Sequence, residues 1–267
     1  MIRKTLSATK EATFCVQLPN NAKEGMPTPA GTGFLVSPDG WFVTAAHVVT
    51  ENNKRDGPVR ADLDKAWLMK ESRPPDPGAM LQAVSFGHIM AELDVALLKV
   101  DFDANANKEW LKNRSEFPYV EISRRNLEEG EEVYSFGYPL SEAFVQTGPG
   151  ITVGSVSLSP RVTSAIVSST IEQTEMLMTG GPPKVYVLDK ALNYGYSGGP
   201  IVSSTTGYVH ALCSRFQPVF IPQPHLKDDD GNQTRIMIPS LYGVVANLAR
   251  PPLLELLEQL SIPVQDG

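Results

Sequence analysis

The chain has 267 residues, 42% of them hydrophobic and 20% charged, and a net charge of −7 at pH 7. This composition suits one enzyme-sized globular unit or two small fused ones, and the acidic balance argues against a nucleic-acid partner, which normally brings a basic footprint. Two cysteines, Cys15 and Cys213, cannot build a disulfide framework, and no run approaches the ~18 apolar residues of a membrane span.

The start, Met1-Ile2-Arg3-Lys4-Thr5-Leu6, is basic but leads into no apolar region of secretory length. With the scarcity of cysteine, this predicts a cytoplasmic protein without a signal peptide. Short apolar or alternating runs then recur between Gly, Pro and Asn. They predict strands near Thr13–Leu18, Thr32–Ser37, Phe42–Ala45, Ala66–Met69, Met80–Phe86 and Val95–Val100. The polar stretch Asp101–Phe117 lacks period-2 alternation and is expected to be a linker. Further strands are predicted near Val120–Ile122, Glu132–Phe136, Thr152–Leu158, Ser168–Leu177, Val185–Leu188, Pro200–Ser203, Val209–Ser214 and Arg235–Ile238, with Gln217–Gln233 as a long inserted loop. Only the tail, Leu241–Leu260, has a helical pattern, which Pro251-Pro252 is expected to break. The 22 prolines exceed a background of roughly 5%. Density and punctuation together predict an all-β barrel or sandwich.

The most informative run is Asn193-Tyr194-Gly195-Tyr196-Ser197-Gly198-Gly199-Pro200. A serine set between Gly-X and Gly-Gly-Pro suits a nucleophile beside a backbone anion hole, with N–H donors from Gly195 and Ser197. Gly-X-Ser-X-Gly also marks the nucleophile elbow of α/β-hydrolases, which need Ser, then Asp or Glu, then His. No Asp or Glu lies between Ser197 and either following histidine, His210 or His225, so that order is excluded. A serine hydroxyl needs an adjacent base near neutral pH. Upstream, Thr44-Ala45-Ala46-His47-Val48-Val49 offers one, and Asp94 at the head of Val95-Ala96-Leu97-Leu98-Lys99-Val100 offers a carboxylate to orient it, in competition with Asp62, Asp64 and Glu92.

His47, Asp94 and Ser197 follow the His…Asp…Ser order of trypsin-like peptidases. From roughly Gly31 to Asn247 the chain resembles that superfamily, and within it the HtrA/Deg-like branch, through Thr44–Val49, Asp94–Val100 and Ile236-Met237-Ile238-Pro239-Ser240. The resemblance implies a chymotrypsin fold: two six-stranded-type β-barrels with a short C-terminal helix. Residues 1–116 would carry His47 and Asp94, and residues 117–267 the nucleophile and substrate pocket. It implies a serine endopeptidase acting through an acyl-enzyme on protein or peptide substrates, with no metal or organic cofactor. It further implies that Ala191 forms the base of an uncharged pocket suited to small or medium apolar side chains. Ser214-Arg215-Phe216 would pair with substrate backbone. The chain ends about 27 residues after Ser240, a length expected to exclude the peptide-binding domain that many HtrA relatives carry.

His88 and His210 are expected to be structural, although His210 lies in the strand expected to line the cleft. His225 lies beside Asp228-Asp229-Asp230, a cluster without the ligand spacing of a calcium loop, and no Cys/His spacing suggests zinc. Tyr196 departs from the family, whose members usually carry Asp or Asn before the serine. It cannot form the ion pair by which digestive zymogens mature, so the site is either preformed or assembled by an activating protein partner. A peptide-binding module that does not cut is the third alternative.

Overall fold

The computed structural model describes residues 2–19, 27–72, 78–82, 84–112, 114–148, 151–171, 185–227, 231 and 233–267. A helix, α1 (Ile2–Ala12), opens the chain and leads into seven strands of one sheet. These are β1 (Thr13–Pro19), β2 (Pro27–Leu35), β3 (Trp41–Ala45), β4 (Trp67–Lys70), β5 (Ala79–Leu81), β6 (Val84–Met90) and β7 (Val95–Val100). Their order is β5-β4-β1-β2-β3-β7-β6, antiparallel at every pairing, and the sheet curls into a half-barrel. The near-continuous apolar run of β7 is buried at Val95, Ala96, Leu97, Leu98 and Val100, so this strand faces packed groups on both sides.

Between the sheets the expected linker contains a 3₁₀ turn at Asn105–Asn107 and a short helix, α2 (Lys108–Leu111). Its Trp110 meets Phe14 edge-on at 5.7 Å, and Phe117 is fully buried. This stretch is therefore packed as well as connecting.

The second half contributes β8 (Ile122–Ser123), β9 (Glu132–Gly137), a separate hairpin of β10 (Glu142–Gly148) and β11 (Ile151–Ser157), then β12 (Arg161–Ile171), β13 (Val185–Leu188), β14 (Pro200–Ser203), β15 (Val209–Lys227) and β16 (Gln233–Asn247). Helix α3 (Pro251–Gln259) and β17 (Val264–Gln265) end the chain. The path β14-β9-β12-β13-β16-β15 returns to β14 through the β14–β15 pairing, which closes a six-stranded barrel. Its interior is packed by residues including Val133, Val167, Tyr186, Leu188, Ile201 and Val245. The architecture is the expected β fold of chymotrypsin type, with a short terminal helix.

Several local expectations are corrected. Residues 241–247 are the end of β16, paired with β13 and β15 through contacts such as Val185↔Ala246 and Leu212↔Ala246. Their apolar run is helix-compatible in isolation, but the two neighbouring strands decide the matter. The proline pair does not break a helix; it begins α3, where a missing N–H has no intrahelical acceptor to lose. Much of the expected loop 217–233 is an extended ribbon, since β15 and β16 stay paired out to Lys227↔Gln233. The strand expected at Met80–Phe86 divides into β5 and β6, and β10 was not anticipated. The strand expected at Ser168–Leu177 begins earlier, at Arg161, and its part beyond Ile171 lies outside the described residues.

Helix α1 was also unanticipated. It lies against both halves: Thr9 Oγ1 is 3.3 Å from the Tyr134 hydroxyl of β9, and Glu11 pairs with Arg114 at 2.5 Å.

Candidate active site

Strand register brings the candidate residues together. In the first sheet Ala45 of β3 is paired with Val95 of β7. His47, two residues past Ala45, and Asp94, one before Val95, therefore emerge at the same edge. His47 sits in a 3₁₀ turn, Ala46–Val48. Asp94 ends another, Ala91–Leu93, in the left-handed region at φ 54. That conformation is tolerated by Asp better than by most residues, and it turns the carboxylate back toward β3. The Ala46 N–H donates to the Asp94 carbonyl at 3.1 Å, and the His47 N–H donates to Asp94 Oδ1 at 3.1 Å. The imidazole Nδ1 then lies 2.9 Å from Oδ2 and 3.1 Å from Oδ1. Asp94 is 3% exposed. Of its competitors, Asp62 is paired with Arg60 at 3.0 Å, and Asp64 and Glu92 are exposed.

The barrel repeats the device. Pro200 of β14 is paired with Leu212 of β15, so Ser197 and Ser214 emerge at one end. The Ser214 hydroxyl donates to Asp94 Oδ2 at 2.5 Å across 120 residues of sequence, joining the two strand ends. This contact was not legible in the chain. Ser214 was assigned only to substrate backbone, because no local pattern reports a bond between sheets.

The loop around Ser197 is held peptide by peptide. Gly195 has φ 93, and a Cβ there would stand 2.6 Å from the Tyr138 carbonyl. The Tyr194 carbonyl accepts from the Leu140 N–H at 3.1 Å, and the Tyr196 carbonyl accepts from the Gly199 N–H at 2.6 Å. In a trans peptide the N–H points opposite to its carbonyl. Each anchor therefore fixes an N–H on its far side, that of Gly195 and that of Ser197. Neither N–H has a hydrogen-bond partner among the described residues.

Thr32 of β2 braces the same loop. Its N–H donates to the Ser197 carbonyl at 2.8 Å, and its hydroxyl donates to the Gly195 carbonyl at 2.6 Å while accepting from the Tyr138 N–H at 3.0 Å. Gly198, at φ 83, packs so closely that a Cβ would lie 2.1 Å from the Thr32 carbonyl and 2.3 Å from Thr44 Oγ1. Only glycine fits.

A cavity of about 430 Å³ opens at this junction, and His47, Ser197, Gly195, Ser214 and Arg215 all reach its wall. No hydrogen bond joins Ser197 Oγ to the imidazole in this structure, a common state of such pairs before substrate tightens them. Ala191 does not line the cavity; its neighbour Leu192 does, with Leu140 and Tyr194. The Phe216 side chain lies outside the described residues, as do that of His225 and the whole of Asp228–Asp230.

His210 is fully buried away from the cavity, its Nδ1 2.8 Å from the Arg125 carbonyl. This agrees with the structural role expected of His210, while the same strand lines the cavity through Cys213, Ser214 and Arg215. Burial, opposed by the Arg125 carbonyl, pushes the His210 pKa below its usual value. The unfolded chain then binds the proton more readily, so stability is full above the ordinary histidine range and falls as pH drops through it. We expect the melting temperature of wild type to fall more between pH 7 and pH 5 than that of His210→Gln; equal slopes would remove His210 as the source. His88 is exposed, 6.2 Å from the Trp41 ring.

Tyr196 is 2% exposed, and its hydroxyl lies 2.8 Å from Thr163 Oγ1. Its ring covers Gly137, where a Cβ would meet it at 2.7 Å. Burial raises its pKa against the opposing hydrogen bond, so the phenol stays neutral. Tyr196→Phe is expected to lose about 1 kcal/mol of stability, whereas Tyr196→Asp, a buried unpaired carboxylate, should lose several times more. Urea titration of both variants checks this, and equal losses would contradict it.

Both cysteines are free and buried. Burial pushes the Cys15 thiol up to about 12 and the Cys213 thiol higher still, the latter aided by the Asp94 charge.

Residues 31–212 match the model of the trypsin-like peptidase domain. The chain is 30% identical to serine protease HTRA1A of Danio rerio over 184 residues, 68% of this chain and 29% of that protein. It is 29% identical to serine protease HTRA4 of Mus musculus over 180 residues, 67% of this chain and 28% of that protein. It thus spans under a third of the length of these relatives. Among solved structures, the HtrA-type protease AlgW with a tripeptide is similar in fold, with a TM-score of 0.57 over 97% of this chain and 63% of that one, at 16% identity. On the match to residues 31–212, this chain belongs to the trypsin-like peptidase domain family.

Proposed function

We propose that the chain is a serine endopeptidase in which Ser197 is the nucleophile, His47 the general base and Asp94 its orienting carboxylate. The observation that carries this reading is one cavity wall where the His47–Asp94 hydrogen bonds meet two unpaired N–H groups, those of Gly195 and Ser197. Ser197 Oγ attacks the scissile carbonyl as His47 Nε2 takes its proton. The Nδ1–H donates to Asp94, which keeps Nε2 unprotonated beforehand and stabilises the imidazolium afterwards. The Ser214 hydroxyl holds the carboxylate for that task. The two N–H groups donate to the developing oxyanion, and their anchored carbonyls spare the site a reorganisation during reaction. His47 then returns the proton to the leaving amine. Water, with His47 again as base, releases the acyl group. Leu140, Leu192 and Tyr194 give the cavity apolar walls suited to a small or medium apolar side chain before the scissile bond.

A serine-reactive fluorophosphonate should label the isolated native chain at Ser197 alone, as read by mass spectrometry of its peptides. A non-cutting binder, or a protease assembled only by a partner, would leave Ser197 unlabelled, and that result would overturn the reading.

A further inference from the structure

Two guanidinium groups beside the cleft each hold one enclosed nitrogen without a hydrogen-bond partner among the described residues. Arg215 follows Ser214 in β15 and lines the cavity with His47 and Ser197. Its Nη2 is enclosed without a hydrogen bond, and so is Nη1 of Arg55, in the loop whose Asn53 also lines the cavity. The two side chains are close enough for the Arg55 charge to act on Arg215, adding to the effect of burial in weakening its hold on a proton. Among the described residues, the one carboxylate acting on Arg215 is Asp94. Its Oδ1 already accepts from the His47 backbone N–H, and its Oδ2 from the imidazole and Ser214. Neighbouring like charges with buried, unused donors are unfavourable in the free protein. An incoming anion relieves both conditions at once.

We propose that Arg55 and Arg215 form a subsite for a carboxylate side chain, so that the enzyme favours Asp or Glu among the three residues preceding the one whose carbonyl Ser197 attacks. The inference rests on the peptidase reading for its orientation. Substrate added as a strand along Ser214–Phe216 lays those residues beside Arg215. Planar guanidinium forks match carboxylate oxygens in paired, charge-assisted hydrogen bonds. One nitrogen of each guanidinium, Arg215 Nη2 and Arg55 Nη1, is already stripped of water in the free protein, which reduces the cost of capture. A lysine at the same position meets two positive charges and is rejected.

The test uses peptides with one apolar residue before the scissile bond and Glu, Gln or Lys placed in turn at each of the three preceding positions. Wild-type kcat/KM should favour Glu over Gln by about tenfold or more at one position, equivalent to about 1.4 kcal/mol, with Lys poorest. Arg215→Gln and Arg55→Gln should each pull the Glu-to-Gln ratio toward one, and Arg215→Lys should leave an intermediate ratio. The ratio is read only from variants that melt cooperatively. Equilibrium binding of the same peptides to Ser197→Ala reads the subsite without turnover. An inert wild type whose Ser197→Ala form still prefers Glu would overturn the peptidase reading and keep the subsite. Active wild type with Glu-to-Gln ratios within twofold of one at all three positions would overturn the subsite and keep the peptidase.

Discussion

Ser197→Ala should lower turnover of a peptide substrate by a factor of about 10⁶, the loss that accompanies removal of a serine nucleophile in enzymes of this chemistry. Its fold should be untouched. The groups that place this residue are backbone ones, the Ser197 carbonyl held by the Thr32 N–H and the Gly198 N–H held by the Cys213 carbonyl, and alanine keeps them all. The melting temperature should therefore stay close to wild type while hydrolysis disappears. A variant retaining a tenth of the wild-type rate with Ser197 gone would assign the nucleophile elsewhere.

Asp94→Asn should be the next most damaging change, at about 10⁴ in kcat. The carboxylate accepts from the His47 backbone N–H, from the imidazole and from Ser214. A carboxamide brings one oxygen and one NH₂ to the same three donors. Either the NH₂ faces a donor, or it faces Nδ1 and selects the tautomer with its proton on Nε2, where it cannot take one from Ser197. Steady-state kinetics gives the magnitude, and ¹⁵N chemical shifts of the His47 ring give the tautomer. A loss below tenfold with an unchanged tautomer would remove Asp94 from the orienting role.

What the sequence disclosed, and what it withheld, follows sequence distance. His47 follows β3 and Asp94 precedes β7, each a compact apolar strand with a distinctive end, so both could be picked out by local pattern and order. The glycines around Ser197 were equally legible, because left-handed φ and close backbone approach are demands that only one residue type meets. The bond from Ser214 to Asp94 spans 120 residues, and that from Thr32 to Gly195 spans 163. No window contains either pair. Residues 241–247 were misassigned for the same reason: Leu, Val and Ala permit a helix, and only the distant strands β13 and β15 make them extended. Helix α1 was hidden by its polar face and by partners such as Tyr134, 125 residues away from Thr9.

Thr32 belongs to the half-barrel, yet through one hydroxyl and one amide it carries the loop that places Ser197 on the closed barrel. Under the proposed mechanism, these bonds couple the seating of one half on the other to readiness for reaction. A molecule that fills the anion hole and bonds to Ser197 must then strengthen the seam between the halves as well, since binding to the closed arrangement alone withdraws population from every loosened one. Inhibitor and fold become linked: a fluorophosphonate adduct should melt higher than the free chain, and Thr32→Val, which leaves the amide but removes the hydroxyl, should narrow that gap.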